Sequence, residues 1–171
     1  MAEWGYVIRT SFPQAYDTLK HTSYDTANGV YLCQSHLSVI DLDALTRELH
    51  PHLQPASFDA LLIEEENKKI FCIEFKNQTT SAISSQQIQK KAADSLATLS
   101  TFCSENNVNF SEYRIIACVV YKADNSPYTY RRFKENIVHF GLEAYQGSGF
   151  EKIITNGIDF FTREFQKKYA C

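Results

Sequence analysis

Asp59 and the Glu74-Phe75-Lys76 triplet are the residues of this chain best suited to do chemistry. Both acids and the lysine lie in "SFDALLIEEENKKIFCIEFKNQ", two apolar runs around a knot of charge. If residues 58–63 and 70–75 pair as an antiparallel hairpin turning between Glu66 and Asn67, Asp59 faces Glu74 and Leu61 faces Cys72. Side chains alternate between the faces of a strand. Asp59, Leu61, Ile63, Ile70, Cys72, Glu74 and Lys76 then share one face, and Phe58, Ala60, Leu62, Phe71, Ile73 and Phe75 fill the other. Facing β-carbons sit roughly 4.5–5.5 Å apart, so two carboxylates and an ammonium meet at one end of the hairpin. Two carboxylates so close repel, and a divalent cation removes the conflict. Magnesium is held by one or two carboxylates, with water and substrate phosphate completing its octahedron. A neighbouring lysine orients water or stabilises developing phosphate charge. This donor set suits metal-assisted phosphodiester hydrolysis.

The elements that must position these groups read as alternating strands and helices. A strand is expected over 4–10, a helix starting at Pro13, and a turn at Asn28-Gly29 before β-forming residues. Asp41 is a candidate cap for a helix with Leu42, Leu45 and Leu49 at helical spacing. Ser84 and Gln87 have capping-box spacing, and Ile88, Ala92, Leu96, Leu99 and Cys103 form one apolar stripe behind them. "YRIIACVVYK" is apolar throughout, as a strand covered on both faces would be. Two further strands are expected in "ENIVHFGLEAY" and "FEKIIT", joined by a turn over 146–149, and a last helix in "IDFFTREFQKKY". The fold class expected is α/β, a mixed central β-sheet flanked by helices.

The chain has 171 residues, the size of one domain, and 1–171 is read as a single unit. Its net charge of −3 excludes a generally basic nucleic-acid coat, so any such contact needs a local patch. "YKADNSPYTYRRFK" offers one: Arg131, Arg132 and Lys134 interleave with Tyr121, Tyr128 and Tyr130, a mixture that grips phosphate and stacks bases. The cysteines, at 33, 72, 103, 118 and 171, show no CxxC spacing and read as reduced small hydrophobes in a cytoplasmic protein. The histidines show no ligand spacing, and no signal peptide or membrane span is legible.

"SFDALLI" followed by "IEFKNQ" resembles the PD-(D/E)xK nuclease superfamily, whose motif is an acid on one core strand and (Asp/Glu)-x-Lys on the next. The resemblance covers about residues 57–122. The residue before Asp59 is Phe58 where many members have Pro. The resemblance implies a restriction-endonuclease-like αβββαβ core with C-terminal additions. It also implies a metal-dependent nuclease, a DNA endonuclease first, with RNA as an alternative substrate. Asp59 and Glu74, with the Phe75 carbonyl, would hold Mg²⁺ or Mn²⁺, and Lys76 would act on the water. A glutamine near the start of the following helix would assist, with Gln87 the candidate and Gln86 the alternative. Glu48 and Asp17 are the candidates for a further acid from the first helix. Many such nucleases pair as homodimers to cut two strands. The rival expectation is a catalytically silent protein of this fold that binds a protein partner in an immunity or assembly role.

Overall fold

A computed structural model describes residues 3–122 and 137–165. Helix α1 (Trp4–Ser11) leads through a short 3₁₀ turn to β1 (Tyr16–Thr18) and the single helical turn α2 (Leu19–Thr22). A two-stranded hairpin follows, β2 (Tyr24–Asp25) and β3 (Val30–Tyr31), then β4 (Ser38–Asp41) and α3 (Leu42–Leu49). Next come β5 (Ala60–Glu64), β6 (Lys69–Lys76), the long helix α4 (Ser85–Asn106), β7 (Arg114–Tyr121) and β8 (Lys152–Gly157). The main sheet has six strands in the order β1-β4-β5-β6-β7-β8. Pairing is antiparallel from β1 to β6 and parallel from β6 to β8. The protein is thus α/β, with a mixed sheet between helices. Among the described residues no helix is long and apolar enough to cross a membrane.

Both faces of the sheet are covered. Leu61, Ile70, Cys72, Ala117 and Val119 pack with α1, α3 and α4 through Trp4, Ile8, Leu42, Leu45, Ile88, Leu99 and Phe102. Ala60, Leu62, Phe71, Ile73, Phe75, Cys118 and Val120 form a second core with Leu19, Cys33 and Phe161. Double coverage explains why residues 70–73 of β6 and 115–121 of β7 are apolar without alternation, since a strand with one wet face would alternate. Cys33, Cys72, Cys103 and Cys118 are buried, as small hydrophobes.

The β5–β6 register is the expected one: Leu61 faces Cys72, Ile63 faces Ile70, and Glu64 faces Lys69. A four-residue loop closes it, with Lys68 at positive φ. The loop is not simply solvated. Glu65 accepts the Gly5 N–H at 2.7 Å and the Tyr113 hydroxyl, tying the start of α1 to the edge of β7.

Several expected elements differ. Residues 4–10 are helical, because Trp4, Val7 and Ile8 are the buried positions and their spacing is that of a helix face. Pro13 opens only a 3₁₀ turn over Pro13–Ala15. The expected strand over 135–145 is absent where it is described: Phe140 and Gly141 both take positive φ, and Leu142–Tyr145 is a 3₁₀ helix. β8 pairs in parallel with β7 and makes no hairpin. The last helix is described only over 158–165, as an α-turn followed by a π-turn. Asp41 caps α3 through the Ala44 N–H at 2.8 Å, and Ser84 caps α4 through the Gln87 N–H at 3.4 Å, as their spacing predicts.

Candidate active site

The ladder between β5 and β6 stops at Ala60 opposite Ile73, one residue short of Asp59. The Asp59 N–H still reaches the Ile73 carbonyl at 2.9 Å. Beyond that point the Asp59 side chain takes over from backbone pairing, and its Oδ2 accepts the Phe75 N–H at 2.6 Å. In a strand the N–H and C=O of one residue point the same way, so the Phe75 carbonyl is also aimed past the end of the ladder toward Asp59.

Residues 57–59 do not alternate as a strand would. Phe58 was expected on the face of Ala60, but it belongs to the α4-side core and stacks on Phe150 with ring centroids 6.2 Å apart. The cause is a bond from α4. Ser95 Oγ accepts the Phe58 N–H at 2.9 Å in a buried position, drawing the chain to the helix before the strand begins. Phe58 and Asp59 thus both turn toward α4, and Asp59 lands beside Glu74.

Glu74, an acid in the middle of the sheet, has no exposed side-chain surface. A buried carboxylate costs several kcal/mol unless it is paired. Two ammonium groups pair it. Lys91 Nζ, from the second turn of α4, donates to Glu74 Oε2 at 2.8 Å and to Asp59 Oδ1 at 3.4 Å. Lys76 Nζ lies 2.8 Å from Glu74 Oε1 as an ion pair, but off the direction a hydrogen bond requires, so Oε1 accepts no hydrogen bond. Burial, and then the Glu74 charge, push the Asp59 carboxyl well above the usual carboxylate range, against Lys91 and the Phe75 N–H. Burial alone would lower the Lys91 ammonium, but Asp59 and Glu74 outweigh it and the group is raised.

Asp59, Glu74 and Lys76 are therefore together, on one face at the end of the β5–β6 pair. Gln87 is not with them. It is exposed in the first turn of α4, where its backbone N–H serves the Ser84 cap. Gln86 is exposed as well. The α4 residue that does arrive is Lys91, one turn further on, which the motif reading missed. Its signal was in the sequence: Lys91 lies three residues after Ile88 and one before Ala92, both inward-facing positions. A lysine at such a position needs an acid to meet. Asp17 is held by His21 at 2.8 Å in β1, and Glu48 is exposed on α3, so neither joins the pair. Arg131, Arg132 and Lys134 fall outside the described residues.

The donors fit one divalent ion. Two carboxylates, one with a buried oxygen lacking a hydrogen bond, and a backbone carbonyl make a set of the kind magnesium uses with water. Among the described residues no group of three or more His, Cys, Asp or Glu side chains is arranged to hold a metal. With both acids ionised, two acids and two ammoniums sum to zero charge, so an ion held here would take the place of the Lys91 ammonium. The Lys91 side chain is 23% exposed and has a way out to the surface.

The fold and this cluster define an α/β protein with a charge-balanced acid–lysine site at the end of an antiparallel pair. No family model, curated protein or solved structure matches the chain.

Proposed function

We propose that the protein is a metal-dependent nuclease of the PD-(D/E)xK kind, acting on DNA as an endonuclease. The observation that carries this reading is the meeting of Asp59, Glu74 and Lys76 where backbone pairing ends and carboxylate takes over. The succession β5, β6, α4, β7, with the last strand parallel to β6, supports a restriction-endonuclease-like core. The helix α3, which lies between β4 and β5, departs from the αβββαβ order.

In this reading Asp59, Glu74 and the Phe75 carbonyl would hold Mg²⁺ or Mn²⁺, which would supply Lewis-acid charge to the scissile phosphate. Lys76, anchored to the buried Glu74, holds the attacking water or the developing oxyanion. Asp59 serves as a ligand in its ionised form, which its raised carboxyl takes up at higher pH than a free aspartate does. Lys91 keeps the acids paired until the ion is present. The test is nicking of supercoiled plasmid, and cleavage of labelled DNA and RNA, with and without Mg²⁺ or Mn²⁺. Metal-dependent cleavage by the wild type that is lost in Glu74→Ala is expected. No cleavage with any divalent metal would end the enzymatic reading.

One observation favours a second reading. Lys76 and Lys91 already neutralise both carboxylates, as in a cluster kept for structure. A nuclease-fold protein that binds a protein partner without cutting would need nothing more.

A further inference from the structure

An open cavity of about 290 Å³ runs from the carboxylate end of the site to the β2–β3 hairpin. Asp59, Phe75, Lys76 and Asn77 line it from the main sheet, and Tyr24 and Asn28 from the hairpin. Its volume is close to the lower end of the range for small-ligand sites, roughly 300–1,000 Å³. Tyr24 and Tyr31 are cross-strand partners on the hairpin, with ring centroids 4.6 Å apart. They are 43% and 39% exposed, so the aromatic pair is open to solvent. The Lys20 ammonium stands 5.0 Å from the centre of the Tyr31 ring, and the His21 ring lies 6.3 Å from it. The hairpin is not a loose flap. Asp25 accepts the Asn28 side-chain amide at 2.7 Å and the Asn77 amide at 3.1 Å, fastening it to the end of β6.

We propose that this cavity takes the base of an unpaired nucleotide against Tyr24, with the adjoining phosphate delivered to Asp59 and Lys76. The inference rests on the nuclease reading for the place of the phosphate, and it narrows the substrate to a single strand or a junction with an unpaired base. Exposed rings stack on any base face, and a flanking ammonium adds attraction for the backbone. Side-chain amides from Asn28 and Asn77 suit the donor and acceptor edges of an unpaired base. A base stacked inside a duplex cannot enter such a cavity without leaving the stack. An apolar peptide or a lipid tail would have to strip water from the amide and carboxylate groups of the lining without replacing its hydrogen bonds.

The test is binding, kept apart from cleavage. The full chain in EDTA is titrated against fluorescein-labelled single-stranded DNA, single-stranded RNA and a duplex of the same sequence, read by anisotropy. The unpaired strand, with one sugar or both, should bind about tenfold tighter than the duplex. Tyr24→Ala should weaken binding to the unpaired strand about tenfold, the low end of a stacking contribution, and leave duplex binding unchanged. Tyr24→Phe should bind as the wild type does. Tyr24→Leu keeps apolar bulk without a ring; it should match the alanine variant and serves if that variant folds poorly. Duplex binding as tight as unpaired, or Tyr24→Leu binding as the wild type does, would overturn the proposal. Ring-dependent binding of the unpaired strand without cleavage under any metal would uphold this site and end the nuclease reading instead.

Discussion

Lys91 Nζ sits 2.8 Å from Glu74 Oε2 and 3.4 Å from Asp59 Oδ1, bridging two acids that face the same helix. Its position makes it the counter-charge on the helix side of a Glu74 carboxyl with no exposed surface. Removing one partner from a buried pair costs about 3–5 kcal/mol. Lys91→Met should therefore lower the melting temperature by several degrees in EDTA. Mn²⁺ should restore much of the loss, and should raise the melting temperature of the variant more than that of the wild type. A variant indifferent to millimolar Mn²⁺ would show that the acids do not hold a metal.

Lys76 pairs with the same buried carboxylate from the strand side, 22% exposed itself. Lys76→Ala should lower cleavage by on the order of 10²–10⁴, the usual contribution of a group acting on water or developing charge. It also leaves Glu74 Oε1 without its ion pair, and a buried group so stranded costs about 1–3 kcal/mol or more. Single-turnover cleavage and chemical denaturation separate the two effects. Unchanged cleavage would remove Lys76 from the chemistry.

Asp59 holds its proton to a higher pH when folded than the value near 3.9 that is usual for an unfolded aspartate. Between those two values the folded state binds more protons than the unfolded state. The contribution of this group to stability is complete below the unfolded value and is lost as pH rises through the folded one. Asp59→Asn should remove that falling component. Urea unfolding of both proteins from about pH 4 to pH 8 measures it, and parallel stability curves would contradict the raised carboxyl.

Ser95 accepts the buried Phe58 N–H at 2.9 Å and is itself fully buried. Ser95→Ala leaves that N–H without a partner and should cost about 1–3 kcal/mol. Because this bond turns residues 57–59 toward α4, the variant should also lose Mn²⁺ affinity. Calorimetric titration of Mn²⁺ alongside the melt checks both, and full affinity in a destabilised variant would confine Ser95 to the fold.

Much of the frame follows from local pattern. Continuous apolar runs announced β6 and β7, the Ser84 and Asp41 caps opened their helices, and the even loop set a register in which Leu61 faces Cys72. That register puts Glu74 and Lys76 on one face by strand alternation and brings Asp59 to the end of the ladder beside them. The terminal regions were less legible. Residues 4–10 carry both a strand-like composition and a helix-like spacing, and only packing of Trp4 and Ile8 beneath α4 chose between them. The parallel pairing of β8 with β7, and the positive φ at Phe140 and Gly141, are encoded by no periodicity.

The site divides the same way. The two acids and Lys76 lie within eighteen residues, so a hairpin alone brings them together. Which residue α4 presents to them is not a local matter. The rotation of that helix is set by Ile88, Ala92, Ser95, Leu99 and Phe102 all burying at once, with Leu96 left half-buried, and the rotation carries Lys91 inward and leaves Gln87 exposed. Motif spacing counts residues along the chain, whereas the sheet selects a helix face by burying the most apolar surface and by filling the Phe58 N–H with Ser95. The closeness of the acids is thus written in the sequence, and the identity of their counter-ion is decided by the packing of α4 on the sheet.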